Sequence, residues 1–211
     1  MFMARLVIIA ALLVGLISVD PPARGQDEDV LSRAKAATAL VVSDVRQQLG
    51  AAFCVNAQGL FVTTTDIAES AEEIYVVLDA GSERERKLRA KILRSDHKSG
   101  VTLLTTDRKV TALQLGDDAR LDDAIGLSLL GFTIRPGGIA DEYPMLEVKK
   151  CRMDSIPKGQ SASTDIRLNV ALNPGMAGGP LIDANGKAIG IIRSSRSRGK
   201  AHSAIPASSA K

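Results

Sequence analysis

The chain has 211 residues, 45% of them hydrophobic and 24% charged, with 27 Lys and Arg against 24 Asp and Glu. That is an ordinary globular balance, sufficient for one substantial core. Tryptophan is absent and aromatics make up 3% of the residues, so Val, Ile, Leu and Ala must fill that core, and a nucleic-acid binder built on aromatic stacking platforms is disfavoured.

The first 25 residues form a separate object. "MFMAR" is a short basic start, "LVIIAALLVGLISV" is a run of fourteen residues without a charge, and "DPPARG" ends in small residues before Gln26. This is the layout of a cleaved secretory signal peptide. Fourteen apolar residues fall short of the ~20 that a spanning helix needs, so no stable membrane anchor is expected after cleavage. No cysteine follows the run to carry a lipid. Removal of Arg5, Asp20 and Arg24 with the segment leaves 25 basic against 23 acidic residues, a net +2. Such an excess does not point to nucleic acid. The mature protein is expected to be periplasmic or extracellular.

Residues 26–37 read as a lead-in, with a helical pattern around Val30 to Thr38. The period then changes to two. "ALVVSDV", "AAFCVN", "LFVTT", "EIYVVLD", "LRAKILRS" and "VTLLTT" read as strands between Gly, Asp, Asn and Ser turns. A second series follows in "AIGLSLLGF", "PMLEVKKC", "DIRLNVAL", "GPLID", "AIGIIRS" and "HSAIP". About twelve short, regularly spaced strands predict an all-β barrel or sandwich over residues 38–207. The seam falls at "LGDDARLDD", giving halves of about 38–116 and 122–207, with residues 208–211 as a tail.

The densest signal is "NPGMAGGPLIDANGKAIGII", a tight glycine loop, a strand, an Asn-Gly turn and another strand. This resembles the active-site region of trypsin-like serine proteases of the bacterial HtrA (Deg) type. "GLFVTTTDIAESAEEIYVVL" is similar to that family's segment around the catalytic histidine, and "ILRSDHKSGVTLL" to the segment around the aspartate. "LQLGDD" and "SAIP" match the family's link into the second barrel and its late strand. The resemblance spans roughly residues 38–207 and implies two six-stranded antiparallel β-barrels.

It also implies where a Ser-His-Asp triad would stand, and the residues there are Ala177, Asp66 and Gly100. The mechanism needs a hydroxyl, an imidazole and a carboxylate. A methyl group at 177 has no lone pair to attack a carbonyl. Loss of such a triad costs roughly a million-fold in kcat, by analogy with subtilisin. The expectation is therefore a family member without catalysis, a pseudoprotease.

Other groups do not rebuild a site. His97 lies on a polar turn three residues before Gly100, and His202 precedes "SAIP"; both read first as surface residues. Cys54 and Cys151 sit in apolar strand-like runs, where a disulfide and two free buried thiols are equally ordinary. No His, Cys or Asp spacing suggests a metal, and no cofactor is expected.

What remains is a binding apparatus. The resemblance implies an oxyanion-hole-like nest of backbone N–H groups at Gly175, Met176 and Ala177, which needs no hydroxyl to receive a carbonyl or carboxylate. It also implies that Ile189 to Ser195, and in particular Arg193, Ser194 and Ser195, pair with an extended peptide by β-augmentation. Arg193, Arg196, Arg198 and Lys200 in "RSSRSRGK" suit acidic peptide or protein segments, although a solvated loop is an equally plain use of such charges. "SERERKLRAK" mixes signs and reads as an exposed hairpin. Three functions stay open: a non-catalytic binder of extended peptide or protein segments, an active endopeptidase with a rebuilt triad, and a structural subunit docking on an active relative.

Overall fold

The computed structural model describes residues 24–43, 47–70, 72–117, 126–133, 144–154, 165–193 and 202–210. Nearly all of the expected signal segment lies outside them. Twelve strands and few helices make up the described residues, an all-β architecture as the alternating pattern predicts.

Six strands close the first barrel: β1 (Thr38–Ser43), β2 (Gln48–Asn56), β3 (Leu60–Thr64), β4 (Ile74–Leu78), β5 (Arg86–Asp96) and β6 (Val101–Thr105). They run in the order β1-β2-β3-β6-β5-β4, every pair antiparallel. β1 is buried along its whole length because its two faces meet different cores. Ala39 and Val41 point into the barrel with Cys54, Phe61 and Leu104. Leu40 and Val42 point the other way, against Val77 and Phe132.

The second half contains β7 (Leu127–Phe132), β8 (Leu146–Cys151), β9 (Ile166–Arg167), β10 (Pro180–Ile182), β11 (Ala188–Arg193) and β12 (Ser203–Pro206). They form a six-stranded sheet in the order β8-β7-β10-β11-β12-β9. Its two outer strands run on into residues that pair with each other, through an antiparallel bridge between Met153 and Leu168 and the bond from Asp154 N–H to Arg167 O at 2.9 Å. One strand is shorter than expected. "DIRLNVAL" gives only the two-residue β9, because the chain bends at Asn169, whose side-chain oxygen accepts the Arg152 N–H at 2.9 Å.

A second apolar cluster joins the two halves more extensively than the one around Phe132. Phe53, Val62, Val101 and Leu113 meet Leu130, Ile182, Ile191 and Ile205 there. Helix α1 (Arg24–Ala37) lies on the same cluster through Val30, Leu31, Ala34 and Ala37, spaced one helical turn apart. It begins six residues before the predicted start, since its first turn is polar and carries no apolar period. Residues 114–116 tie the first half to the second: Ala188 N–H donates to Gln114 O and Gly116 N–H to Ala188 O, both at 2.8 Å. No helix among the described residues is long and apolar enough to cross a membrane.

Candidate functional site

The loop Asn173–Pro180 sits where the two halves meet. Pro174–Met176 make one 3₁₀ turn, with Pro174 supplying a fixed φ at its start. Within that turn Met176 N–H donates to Asn173 O at 3.0 Å and Ala177 N–H to Pro174 O at 3.2 Å. The loop is then held from both sides. Ala51 N–H of β2 donates to Ala177 O at 2.7 Å, Gly178 N–H to Ile192 O at 2.8 Å, and Ile192 N–H to Gly179 O at 2.9 Å. Gly178 has a φ of +81°, and a β-carbon there would overlap Ala51 O and the Thr63 hydroxyl. Only glycine fits this position without displacing β2.

The three triad positions lie close together. Thr65 opens a one-turn helix, α2 (Thr65–Ala68), on which Asp66 is exposed. Thr65 N–H donates to Gly100 O at 2.9 Å, which joins the positions 66 and 100. Across the cleft, a β-carbon on Gly50 would stand 2.7 Å from Ile67 Cδ1 and 2.8 Å from Ala177 O, so α2 and the glycine loop almost touch. Ala177 is 1% exposed and packs in the same apolar cluster as Ile67 and Ala68.

The place beside Gly100 is taken by a side chain from the other half. Arg193, at the end of β11, donates from a guanidinium nitrogen to Ser99 O at 3.0 Å and pairs with Asp165 at 3.6 Å. Its nearest nitrogen would be 3.3 Å from a β-carbon on Gly100. Arg193 thus joins the two halves through Ser99 and pairs within its own half with Asp165, roles without a sequence signal because these partners are 94 and 28 residues away. The expectation of an open edge along Ile189–Ser195 needs correction for its first part. β11 has β10 on one side, through Ala188, Gly190 and Ile191, and β12 on the other, through Gly190 to Arg193. Its β10-side positions are already used by strands that complete the sheet. Ser194, Ser195, Arg196, Arg198 and Lys200 lie outside the described residues.

A family model described as "Trypsin-like peptidase domain" matches residues 50–191, two thirds of the chain and all three triad positions. The chain belongs to the trypsin-like peptidase family. Among curated proteins it is 31% identical over 150 residues to a probable periplasmic serine endoprotease, DegP-like, of Halomonas elongata, covering 71% of this chain and 30% of that protein. It is 30% identical over 147 residues to the DegP-like protein of Hahella chejuensis, covering 69% and 29%. The match therefore spans less than a third of the length of those relatives. Among solved structures, the HtrA-type protease AlgW with a decapeptide superposes with a TM-score of 0.68 at 23% identity, covering 87% of this chain and 65% of that one. Deg5 does so with a TM-score of 0.69 at 19% identity, covering 90% and 92%. Both share the fold.

The two histidines and the two cysteines are the other candidate groups that the sequence raises. His97 is exposed on its turn, with Nε2 3.4 Å from the Glu69 carboxylate. His202 is half-buried next to β12, and its carbonyl accepts Leu168 N–H at 2.8 Å. Its Nδ1 is buried with no partner among the described residues. Cys54 and Cys151 are both free thiols, one in the first-half core and one in the second, which resolves the sequence alternatives against a disulfide. Burial pushes the Cys54 thiol up, and pushes that of Cys151 up to about 11, so neither has thiolate character near neutrality. No cluster of three or more metal-ligating side chains occurs among the described residues. Helix α2 was missed by sequence reasoning, since a four-residue helix leaves no periodic signal.

Proposed function

We propose that this protein is an exported, non-catalytic member of the HtrA-like serine protease family that acts by binding extended peptide or protein segments. The observation that carries the reading is the identity of the residues at the positions that the family resemblance assigns to the triad, Ala177, Asp66 and Gly100, supported by the bond from Thr65 N–H to Gly100 O and the packing of Ala177 with Ile67 and Ala68. A methyl group, a carboxylate and a hydrogen atom stand there. None can play the part that acyl transfer assigns to its position. Export rests on the leader pattern and on relatives named periplasmic.

Peptide binding would engage Arg193, Ser194 and Ser195, with main-chain bonds supplying affinity. The amides of Met176 and Ala177 would join only after exchanging their bonds within the 3₁₀ turn for a ligand carbonyl or carboxylate. Arg193 holds one Ser99 carbonyl and one carboxylate, so acidic segments find less positive charge there than the sequence alone implies. Fluorescence anisotropy with extended peptides, acidic ones among them, tests the reading. Binding in the micromolar range or weaker (about −8 kcal/mol at 1 μM) is expected, since ordering a flexible peptide is costly. Ser195→Pro, which removes one ladder donor, should weaken it.

A second reading has one observation in its favour. The internal bonding of the loop amides and the occupation of the Gly100 side by Arg193 suit a subunit that docks on an active relative and leaves its cleft unused. That reading predicts no peptide binding, and capture of the relative that Ser195→Pro leaves unchanged.

A further inference from the structure

We propose that the outer face of β5 is a docking surface for anionic lipid membranes. The inference is independent of the cleft. Between Ser82 and Lys98 seven basic residues stand against three acidic ones, a net +4, more than the +3 of the entire chain. A positive excess of that size is thus carried by one strand and its flanking turns, as it is by residues 193–200. Lys87, Arg89, Lys91 and Leu93 follow the two-residue period of a strand, whereas Leu88 and Ala90 between them pack on the barrel core.

The strand also carries apolar surface that the fold does not use. Ile92 is 48% exposed and Leu93 61%, two of the three exposed large hydrophobics among the described residues. The register between β5 and β6 shifts from Ile92 to Arg94, so Leu93 sits in a bulge, a device that re-aims a side chain out of the ladder. Lys91 and Arg94 bracket this aliphatic pair. Other cations on the strand are committed: Arg86 pairs with Asp79 at 3.8 Å, Arg89 with Glu73, and Lys87 lies 4.3 Å above the Tyr75 ring. Lys91 and Arg94 make no such pair among the described residues. Beside them lies an open basin of about 640 Å³ whose lining includes Lys87, Lys91, Thr105, Thr106, Asp107 and Arg108.

Exposed aliphatic side chains flanked by Lys91 and by Arg94, whose electrostatic partner among the described residues is the exposed Asp96, fit the boundary between lipid head groups and acyl chains. The apolar pair enters the boundary while the cations meet phosphate. A soluble polyanion would use the cations and gain nothing from Ile92 and Leu93. Nor does the strand present aromatic residues for stacking on bases.

The test is co-sedimentation of the full chain with phosphatidylglycerol-rich vesicles, with phosphatidylcholine vesicles as the neutral comparison. Binding to the anionic vesicles alone is expected, weakening as salt rises. Replacing both Lys91→Gln and Arg94→Gln should lower the partition coefficient about 30-fold. Leu93→Ser should lower it about 10-fold while all charges remain. Thermal melts of the variants should match the parent, since these side chains lie outside both cores. Equal binding to neutral vesicles, or no binding to anionic ones, overturns the proposal. So does loss with Lys91→Gln and Arg94→Gln alongside no effect of Leu93→Ser, which marks a polyanion site. Displacement by inorganic phosphate at matched ionic strength would mark a small-anion site and equally overturn it.

Discussion

The guanidinium of Arg193 occupies the space beside Gly100, 3.3 Å from where a β-carbon would stand, and bonds the carbonyl of the preceding Ser99. The position to which the family resemblance assigns a carboxylate lies beside a contact between the two halves of the fold. Arg193→Ala should therefore loosen that contact. Arg193 is partly exposed, so the charge-assisted bond and the Asp165 pair together should contribute only about 1 kcal/mol. Urea titration of Arg193→Ala should show a lowered midpoint with an unchanged slope, and an unchanged midpoint would contradict the account.

Gly178 and Gly126 form a matched pair of probes. A β-carbon on Gly178 would meet Ala51 O and the Thr63 hydroxyl at a φ of +81°, whereas one on Gly126 would meet nothing within 4 Å. Gly178→Ala should cost roughly 3 kcal/mol or prevent soluble expression, combining left-handed strain with overpacking. Gly126→Ala should change stability by less than about 0.5 kcal/mol. Equal thermal midpoints for the two variants would show that the loop is not seated as described. A bulky residue at 178 is consequently a poor probe of ligand binding, because it disturbs the fold first.

The buried thiols give a pH signature of defined sign. The folded Cys151 thiol titrates at about 11, above its ordinary 9.0. Between those values the unfolded chain has released a proton that the folded chain retains. The unfolded state then binds fewer protons, and stability falls as pH rises from about 9 toward about 11. The contribution is intact below that window. Cys54 is shifted in the same direction by the same cause, so both thiols act together. Denaturant midpoints across the window should fall, and Cys151→Ala should flatten part of the fall. Near neutral pH, neither thiol of the folded protein should react with a thiol reagent until denaturant is added.

Much of this fold is written locally. β1, β3, β4, β6 and β11 coincide with apolar runs because short strands bounded by Gly, Asn and Asp carry their own signal. Positions 66, 100 and 177 could be singled out for a different reason, since each lies inside a segment similar to one in the family. Arg193 shows the limit. Its charge is visible in the sequence, but its bond to Ser99 arises only when the two halves come together, and its pair with Asp165 only when the second half folds. β9 fails for a related reason, as Asn169 uses its side chain on the Arg152 amide and bends an apolar run that would otherwise extend. The early start of α1 is invisible because its first turn is polar and has no apolar period, while packing of Val30, Ala34 and Ala37 on the shared core sustains the helix.

Position 177 permits a direct chemical trial. Ala177 is buried among Ile67 and Ala68, so a hydroxyl placed there enters apolar surroundings. Ala177→Ser should cost about 1–2 kcal/mol if that hydroxyl finds no acceptor. It should not confer turnover, because position 66 holds a carboxylate where an imidazole would have to accept the proton. A large gain in hydrolysis by this single variant would show that another base already serves the cleft.

The non-catalytic reading itself is tested most directly on the unaltered protein. Purified chain should be incubated with unfolded casein and, in parallel, with a fluorophosphonate that labels activated serine hydroxyls. The account predicts cleavage no faster than in a buffer control and no covalent adduct by mass spectrometry. Casein turnover that co-purifies with the chain, or a stoichiometric adduct on any of its serines, would contradict it.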